Sequence, residues 1–262
     1  MKKIICLLIV ALLAGCAQDT ESVETSEQST YSELSTKGIG WGIKKNKNAE
    51  PDVPDDIKAM LEKHDAFYMD KSKTKTLYLT FDEGYENGYT DDILDTLKKC
   101  NVPAAFFVTG SYFDKEGELI KRMVDEGHIV GNHTENHPNL HKLSDDKIIE
   151  ELKILDDKFY ERFGTHMTYA RPPEGEFSER VLAVCRDAGY KTAFWSFAYK
   201  DWVKDAEIGA DAAFEKIAPY LHDGCVILLH AVSKDNSECL ERLINFARDS
   251  GYEFKSLDNI KL

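Results

Sequence analysis

The chain has 262 residues, 42% of them hydrophobic and 31% charged, with only 16 Gly and 7 Pro; this composition excludes a low-complexity chain and suits a single folded core. Asp and Glu outnumber Lys and Arg by 47 to 33, a formal net charge of -14. An acidic chain with no local basic patch repels a polyanion, which disfavours nucleic acid as a partner.

In chain order, residues 1–15 begin with Lys2-Lys3, continue through an apolar stretch from Ile4 to Leu13, and end on Ala14-Gly15 ahead of Cys16. This is the layout of an export signal. The apolar part falls well short of the roughly 20 residues a membrane-spanning helix needs. Leu13-Ala14-Gly15-Cys16 resembles a bacterial lipoprotein cleavage box. That resemblance implies a lipid anchor at Cys16 that holds the exported protein on the outer face of the cell membrane; a plain secretory signal with an incidental Cys is the alternative. With Cys6 and Cys16 so assigned, Cys100, Cys185, Cys225 and Cys239 remain, without CxxC spacing, and are expected as free thiols.

Residues 16–37 are rich in Ser, Thr, Glu and Gln and bury too little apolar surface to offset ordering entropy, so they are expected to form a disordered tether. Residues 38–70 are expected as an N-terminal arm carrying Trp41 and Ile43, followed by a short helix over 56–68. Residues 71–262 form the expected main domain. Its β-rich runs at 76–81, 104–109, 128–130, 169–171, 192–197, 225–230 and 252–254 alternate with helical periodicity at 90–100, 119–126, 145–163, 177–189, 210–221 and 239–250. Alternation of this kind predicts an α/β fold with a parallel sheet, most simply curled into a (β/α) barrel whose chemistry gathers at the C-terminal strand ends.

Five segments supply polar residues at those ends: Asp82-Glu83, His133 with His137, Arg171-Pro172-Pro173-Glu174-Gly175, Asp201-Trp202, and His230. A carboxylate, two histidines at i, i+4, an arginine and a strand-end histidine are the parts of metal-assisted hydrolysis. One helical turn would put His133 and His137 on a common face. Taken singly, each has a bland reading: surface histidines, a capping aspartate, a loop arginine.

Together, Thr80-Phe81-Asp82-Glu83-Gly84, His133-Thr134-Glu135-Asn136-His137, the Arg171 segment, Asp201-Trp202 and Leu228-Leu229-His230 resemble, in order, the five motifs of polysaccharide deacetylases with a NodB-like domain. Gly40-Trp41-Gly42, Tyr85-Glu86-Asn87-Gly88, Trp195-Ser196-Phe197-Ala198 and residues 230–236 are similar, more narrowly, to delta-lactam-biosynthetic de-N-acetylases of spore-forming bacteria. The resemblance covers residues 38–262. It implies a distorted (β/α) barrel of the NodB type and metal-dependent de-N-acetylation of N-acetylmuramic acid in spore cortex peptidoglycan. It also implies a partner amidase that first strips the peptide stem; the chain is expected to be a monomer.

By the same resemblance Asp82 is the general base, His230 the general acid, Arg171 the group that orients Asp82, and Asp201 the group that orients His230. His133 and His137 hold a divalent metal, expected to be zinc, with cobalt, manganese or magnesium as alternatives. Glu83 stands where the family usually has a ligating Asp, so it is either the third ligand or is turned aside. Trp202, Trp195, Tyr85, Pro173, Glu174 and Leu228 are expected to wall the substrate pocket, Trp195 having a core reading as well. Glu174 departs from the family's frequent Tyr, and Ala198 from a frequent Asp. Two competing functions remain: a deacetylase of N-acetylglucosamine polymers or acetylated xylan, and a wall-binding lipoprotein with vestigial catalytic residues.

Overall fold

The computed structural model describes residues 31–204 and 206–262. The expected signal peptide, the acylation site Cys16 and the tether as far as residue 30 lie outside the described residues. Residues 31–37, expected as the end of the tether, instead lie against the domain: Tyr31 packs on the core and the Ser35 carbonyl accepts the Arg180 N–H at 3.1 Å.

The arm forms strands β1 (Ile39–Gly40), β2 (Lys44–Asn46) and β3 (Ala49–Asp52), the last two an antiparallel hairpin, and leads into helix α1 (Asp55–Lys63). The helix stops at Lys63 instead of running to residue 68. Asp65 takes a left-handed φ of 53°, which ends the helical path, and Ala66–Phe67 becomes strand β4. Because β4 pairs in parallel with a strand of the main sheet, a domain boundary at residue 71 would cut through that sheet.

Beyond the arm the elements are β5 (Thr76–Glu83), α2 (Thr90–Cys100), β6 (Ala104–Val108), α3 (Gly110–Lys115), α4 (Gly117–Asp125), β7 (Ile129–Asn132), α5 (Asp145–Phe163), β8 (Tyr169–Ala170), β9 (Glu176–Phe177), α6 (Glu179–Asp187), β10 (Lys191–Ala193), α7 (Ala210–Ile217), β11 (Cys225–His230), α8 (Lys234–Asp249) and β12 (Glu253–Phe254). The main sheet runs β11-β5-β6-β7-β8-β10-β4, with β12 also on β5, and every pairing is parallel. Single bridges Met69–Cys225 and Phe197–Ile227 join its far end back to β11. The sheet is thus curled into the distorted (β/α) barrel expected. The pair β1–β9 lies outside it.

Strand pleat sorts the side chains of β5. Leu77, Leu79 and Phe81 enter the large core under the helices, whereas Tyr78 joins Phe107, Tyr169 and Val226 inside the barrel, as period-two alternation requires. The interior is narrow: a Cβ on Gly131 would come within 2.6 Å of the Phe107 ring. Helix α5 buries Ile148, Leu152, Leu155 and Phe159, a stripe at helical spacing. Residues 194–197 leave β10 because they cross to β11 instead, through Ser196 N–H to Val226 O at 2.9 Å and Leu228 N–H to Phe197 O at 2.8 Å. That crossing shortens the strand expected over 192–197. Among the described residues no helix is long and apolar enough to cross a membrane. Cys100, Cys185, Cys225 and Cys239 are free thiols.

Candidate active site

Parallel register places Asp82 of β5 opposite His230 of β11, one strand spacing apart. Both stand at the C-terminal strand ends, where a barrel collects its chemistry. Arg171, just after β8, crosses the interior to reach Asp82: Nη1 donates to Oδ1 at 2.6 Å, Nη2 to Thr80 Oγ1 at 3.0 Å and Phe194 O at 3.3 Å, and Nε to Ala193 O at 2.8 Å. Its guanidinium also lies 4.0 Å from the Phe107 ring centroid. Burial opposes ionisation of Asp82, yet the charge of Arg171, aided by that of His230 and by the Arg171 hydrogen bond, outweighs it and holds the carboxyl below its ordinary value. Asp82 is therefore a carboxylate.

His133 and His137 are not on a helix. They belong to the loop after β7, where Thr134 and His137 take left-handed φ of 70° and 56°. The loop is tied by Thr134 N–H to Asn132 Oδ1 at 2.9 Å and His137 N–H to Thr134 Oγ1 at 3.0 Å. Side-chain braces of this kind suit Thr and Asn in turns. The fold in the loop still brings the rings together, centroids 4.8 Å apart and nearly perpendicular. Nδ1 of His133 lies 2.8 Å from Arg171 O, so that nitrogen carries the proton and Nε2 keeps its lone pair. Nε2 is 3.7 Å from Asp82 Oδ2, longer than a hydrogen bond. Burial pushes His133 down to about 4, which keeps the ring neutral. A neutral imidazole oriented by a carbonyl on its other nitrogen is what a metal ligand needs.

Glu83 does not join the imidazoles. It shares the pleat parity of Phe81 and not that of Asp82, and its fully buried carboxyl accepts no hydrogen bond. Burial, then the charges of Glu86 and Asp82, raise it well above its ordinary value, which favours the neutral acid. Among the described residues no group of three or more His, Cys, Asp or Glu is arranged to hold a metal ion. The third-ligand role for Glu83 is thereby corrected: the donor set here fits a divalent ion held by two imidazoles, with the rest of its coordination left to water or substrate.

On the opposite wall, His230 Nδ1 lies 2.8 Å from Asp201 Oδ1, and its backbone N–H donates to Asp201 Oδ2 at 2.9 Å. Burial would lower the imidazole, but the hydrogen bond and charge of Asp201 raise it above its ordinary value. Asn236 Nδ2 donates to Asp201 Oδ2 at 2.6 Å and to His230 O at 3.1 Å, and Tyr199 Oη to Asn236 Oδ1 at 2.5 Å. Asn236 and Tyr199 had no assigned role from sequence. The motif at 230–236 contains Asn236, and its place in the first turn of α8, behind the Ser233 cap, was the available signal.

A cavity of about 920 Å³ opens over these groups, lined by Asp82, His133, His137 and His230 and walled by Tyr85, Glu174, Trp195, Trp202 and Leu228. The Trp202 ring lies 5.2 Å from that of His230 and is half-exposed. Pro173 is not among the lining residues; it is buried behind the wall in the turn that presents Glu174, which sits at a left-handed φ of 58°. Trp195 has both expected roles, lining the cavity while packing on the core. Gly175, at φ 66°, has to be glycine for this wall: a Cβ there would lie 2.7 Å from the Trp195 ring.

Residues 69–193 match the family described as polysaccharide deacetylase. The chain is 43% identical over 251 residues to the peptidoglycan-N-acetylmuramic acid deacetylase PdaA of Bacillus subtilis, covering 95% of this chain and 91% of that one. It is 31% identical over 192 residues to a peptidoglycan-N-acetylglucosamine deacetylase of Bacillus cereus, covering 71% of this chain and 88% of the relative. The solved structure of Bacillus subtilis PdaA, described as a family 4 carbohydrate esterase, superposes with a TM-score of 0.84 at 43% identity, over 87% of this chain and 98% of that one.

Proposed function

The chain belongs to the polysaccharide deacetylase family, and on that premise we propose that it removes acetyl groups from peptidoglycan amino sugars, with N-acetylmuramic acid as the substrate residue. The observation that carries this reading is the pairing of an ionised carboxylate and a proton-bearing imidazole across one strand spacing, with their proton affinities pushed apart by separate partners. Such a pair is how an acid and a base coexist at one pH. A wall-binding protein has no use for it.

In this mechanism water attacks the acetamide carbonyl carbon and Asp82 takes its proton. Arg171 keeps Asp82 ionised and fixes which oxygen faces the cleft. His230, held as an imidazolium by Asp201, gives a proton to the amide nitrogen as the C–N bond breaks, releasing acetate and the free amine. Asn236 and Tyr199 hold Asp201 in place. Trp202 and Trp195 give the acetyl methyl and sugar ring apolar faces. His133 and His137 would hold a divalent ion, zinc by the preference of imidazole donors, which when bound supplies a Lewis acid for the carbonyl and lowers the pKa of water.

The reading extends to an exported lipoprotein anchored through Cys16 and acting in sporulation, on the route to muramic delta-lactam. A stem peptide on the lactyl group would block lactam closure, so an amidase acts first. The test is acetate release from glycan strands with bare N-acetylmuramic acid in the presence of zinc or cobalt, beside N-acetylglucosamine polymers and acetylated xylan. Acetate from the muramic strands supports the reading; its absence there with release from another polymer moves the substrate, and no release from any overturns it.

A further inference from the structure

Muramic acid differs from glucosamine by a lactyl ether whose carboxylate is an anion at neutral pH. A protein of net charge -14 repels such a sugar unless a local cation offsets the field. Arg171 is not available for this: all its nitrogens are committed to Asp82, Thr80, Ala193 and Phe194, and it is buried beneath the cavity. His230 is committed to Asp201, and the His133–His137 pair to its own task.

Lys200 remains. Among the described residues it is the only Lys or Arg that lines the catalytic cavity, and it also lines an adjoining cavity of about 230 Å³. It is exposed, immediately before Asp201-Trp202, and has no ion pair or hydrogen bond with a described residue. The other charged residues on the catalytic cavity wall, apart from Asp82 and the imidazoles, are Glu135 and Glu174. Glu135 is already paired with Lys158 at 2.7 Å.

We propose that Lys200 is a specificity-determining residue that pairs with the free lactyl carboxylate of a muramic residue and so selects muramic acid over glucosamine. The proposal rests on the deacetylase reading above. A stem peptide converts that carboxylate into an amide, so the pair forms only after an amide-hydrolysing reaction has exposed the anion.

The test measures binding of two glycan probes of equal length, one with free lactyl carboxylates and one with lactyl carboxamides, to wild type, Lys200→Met and Lys200→Arg. Wild type should favour the carboxylate probe about fivefold, the scale of an exposed ion pair of ~1 kcal/mol, with the preference shrinking in high salt. Lys200→Met should bind both probes equally, and Lys200→Arg should keep the preference. A preference that survives in Lys200→Met, or none in wild type, overturns the proposal. Acetate release by wild type, assayed in parallel, judges the deacetylase reading separately, because the binding comparison does not depend on turnover.

Discussion

Replacing Arg171 with Met leaves Asp82, only 7% exposed, without its hydrogen-bonded cation and with only the more distant charge of His230. Breaking one side of a buried pair costs roughly 3–5 kcal/mol, because the surviving charge stays desolvated. At roughly 2–4 °C per kcal/mol for a domain of this size, Tm should fall by about 6–20 °C at pH 7. The sign of the pH dependence follows from linkage. The depressed Asp82 stabilises the fold above the ordinary carboxylate value, and this stabilisation is lost as pH falls through its folded value. A protonated Asp82 has no need of Arg171, so the gap between wild type and Arg171→Met should narrow towards acid. Adding Asp82→Asn to Arg171→Met should recover at least ~1 kcal/mol, since a neutral amide replaces the stranded charge. The assay is thermal or denaturant unfolding of both single variants and the double at pH 7 and at mildly acid pH. If the losses of the two single variants simply add in the double, the two groups are not coupled and the account of Asp82 fails. Turnover by Arg171→Met should also lose its plateau on the acid side, because the base has lost the charge that kept it ionised.

Asp201→Asn removes the partner that raises His230, so the alkaline limb of the kcat/KM profile should move to lower pH and activity at pH 8 should fall by about tenfold or more; an unmoved limb would argue that His230 is not the acid. Glu83→Gln should leave bound metal unchanged, since Glu83 does not line the cavity that holds the imidazoles. It should also raise Tm at pH 7, a gain that disappears as pH drops below the ordinary glutamate value. A raised acid costs the fold stability as pH rises, and the amide has no proton to lose. Loss of metal in Glu83→Gln would restore it as a ligand. Asn236→Ala should lower kcat by about tenfold with little change in KM, because Asn236 holds Asp201 and does not itself line the cavity.

Much of this arrangement was legible in the sequence because its periods are physical. Two-residue alternation in β5 and heptad-like spacing in α5 come from pleat and helix geometry, and the strand ends collect the polar residues. The pleat alone, carried past Leu77, Leu79 and Phe81, would have turned Glu83 to the helix-facing side. The family resemblance argued for a ligand there, and the strand geometry prevailed. The helical reading of His133 and His137 rested on spacing, whereas their loop is set by left-handed φ at Thr134 and His137, which no pattern of apolar residues announces. Helix α3 is six residues long and opens on Gly110, too short for periodicity to register. Asn236 sits in a recognisable motif at the capped start of α8, but its role is set only when α8 packs behind Asp201, a tertiary contact the motif does not specify.

Bound metal and acetate release, measured together on wild type, His133→Ala and His230→Ala, test the central claim most directly. The account predicts that His133→Ala loses the metal and turnover together, while His230→Ala keeps a full equivalent of metal and loses turnover by about 10²–10⁴. Metal retained by His133→Ala, or turnover retained by His230→Ala, would contradict it.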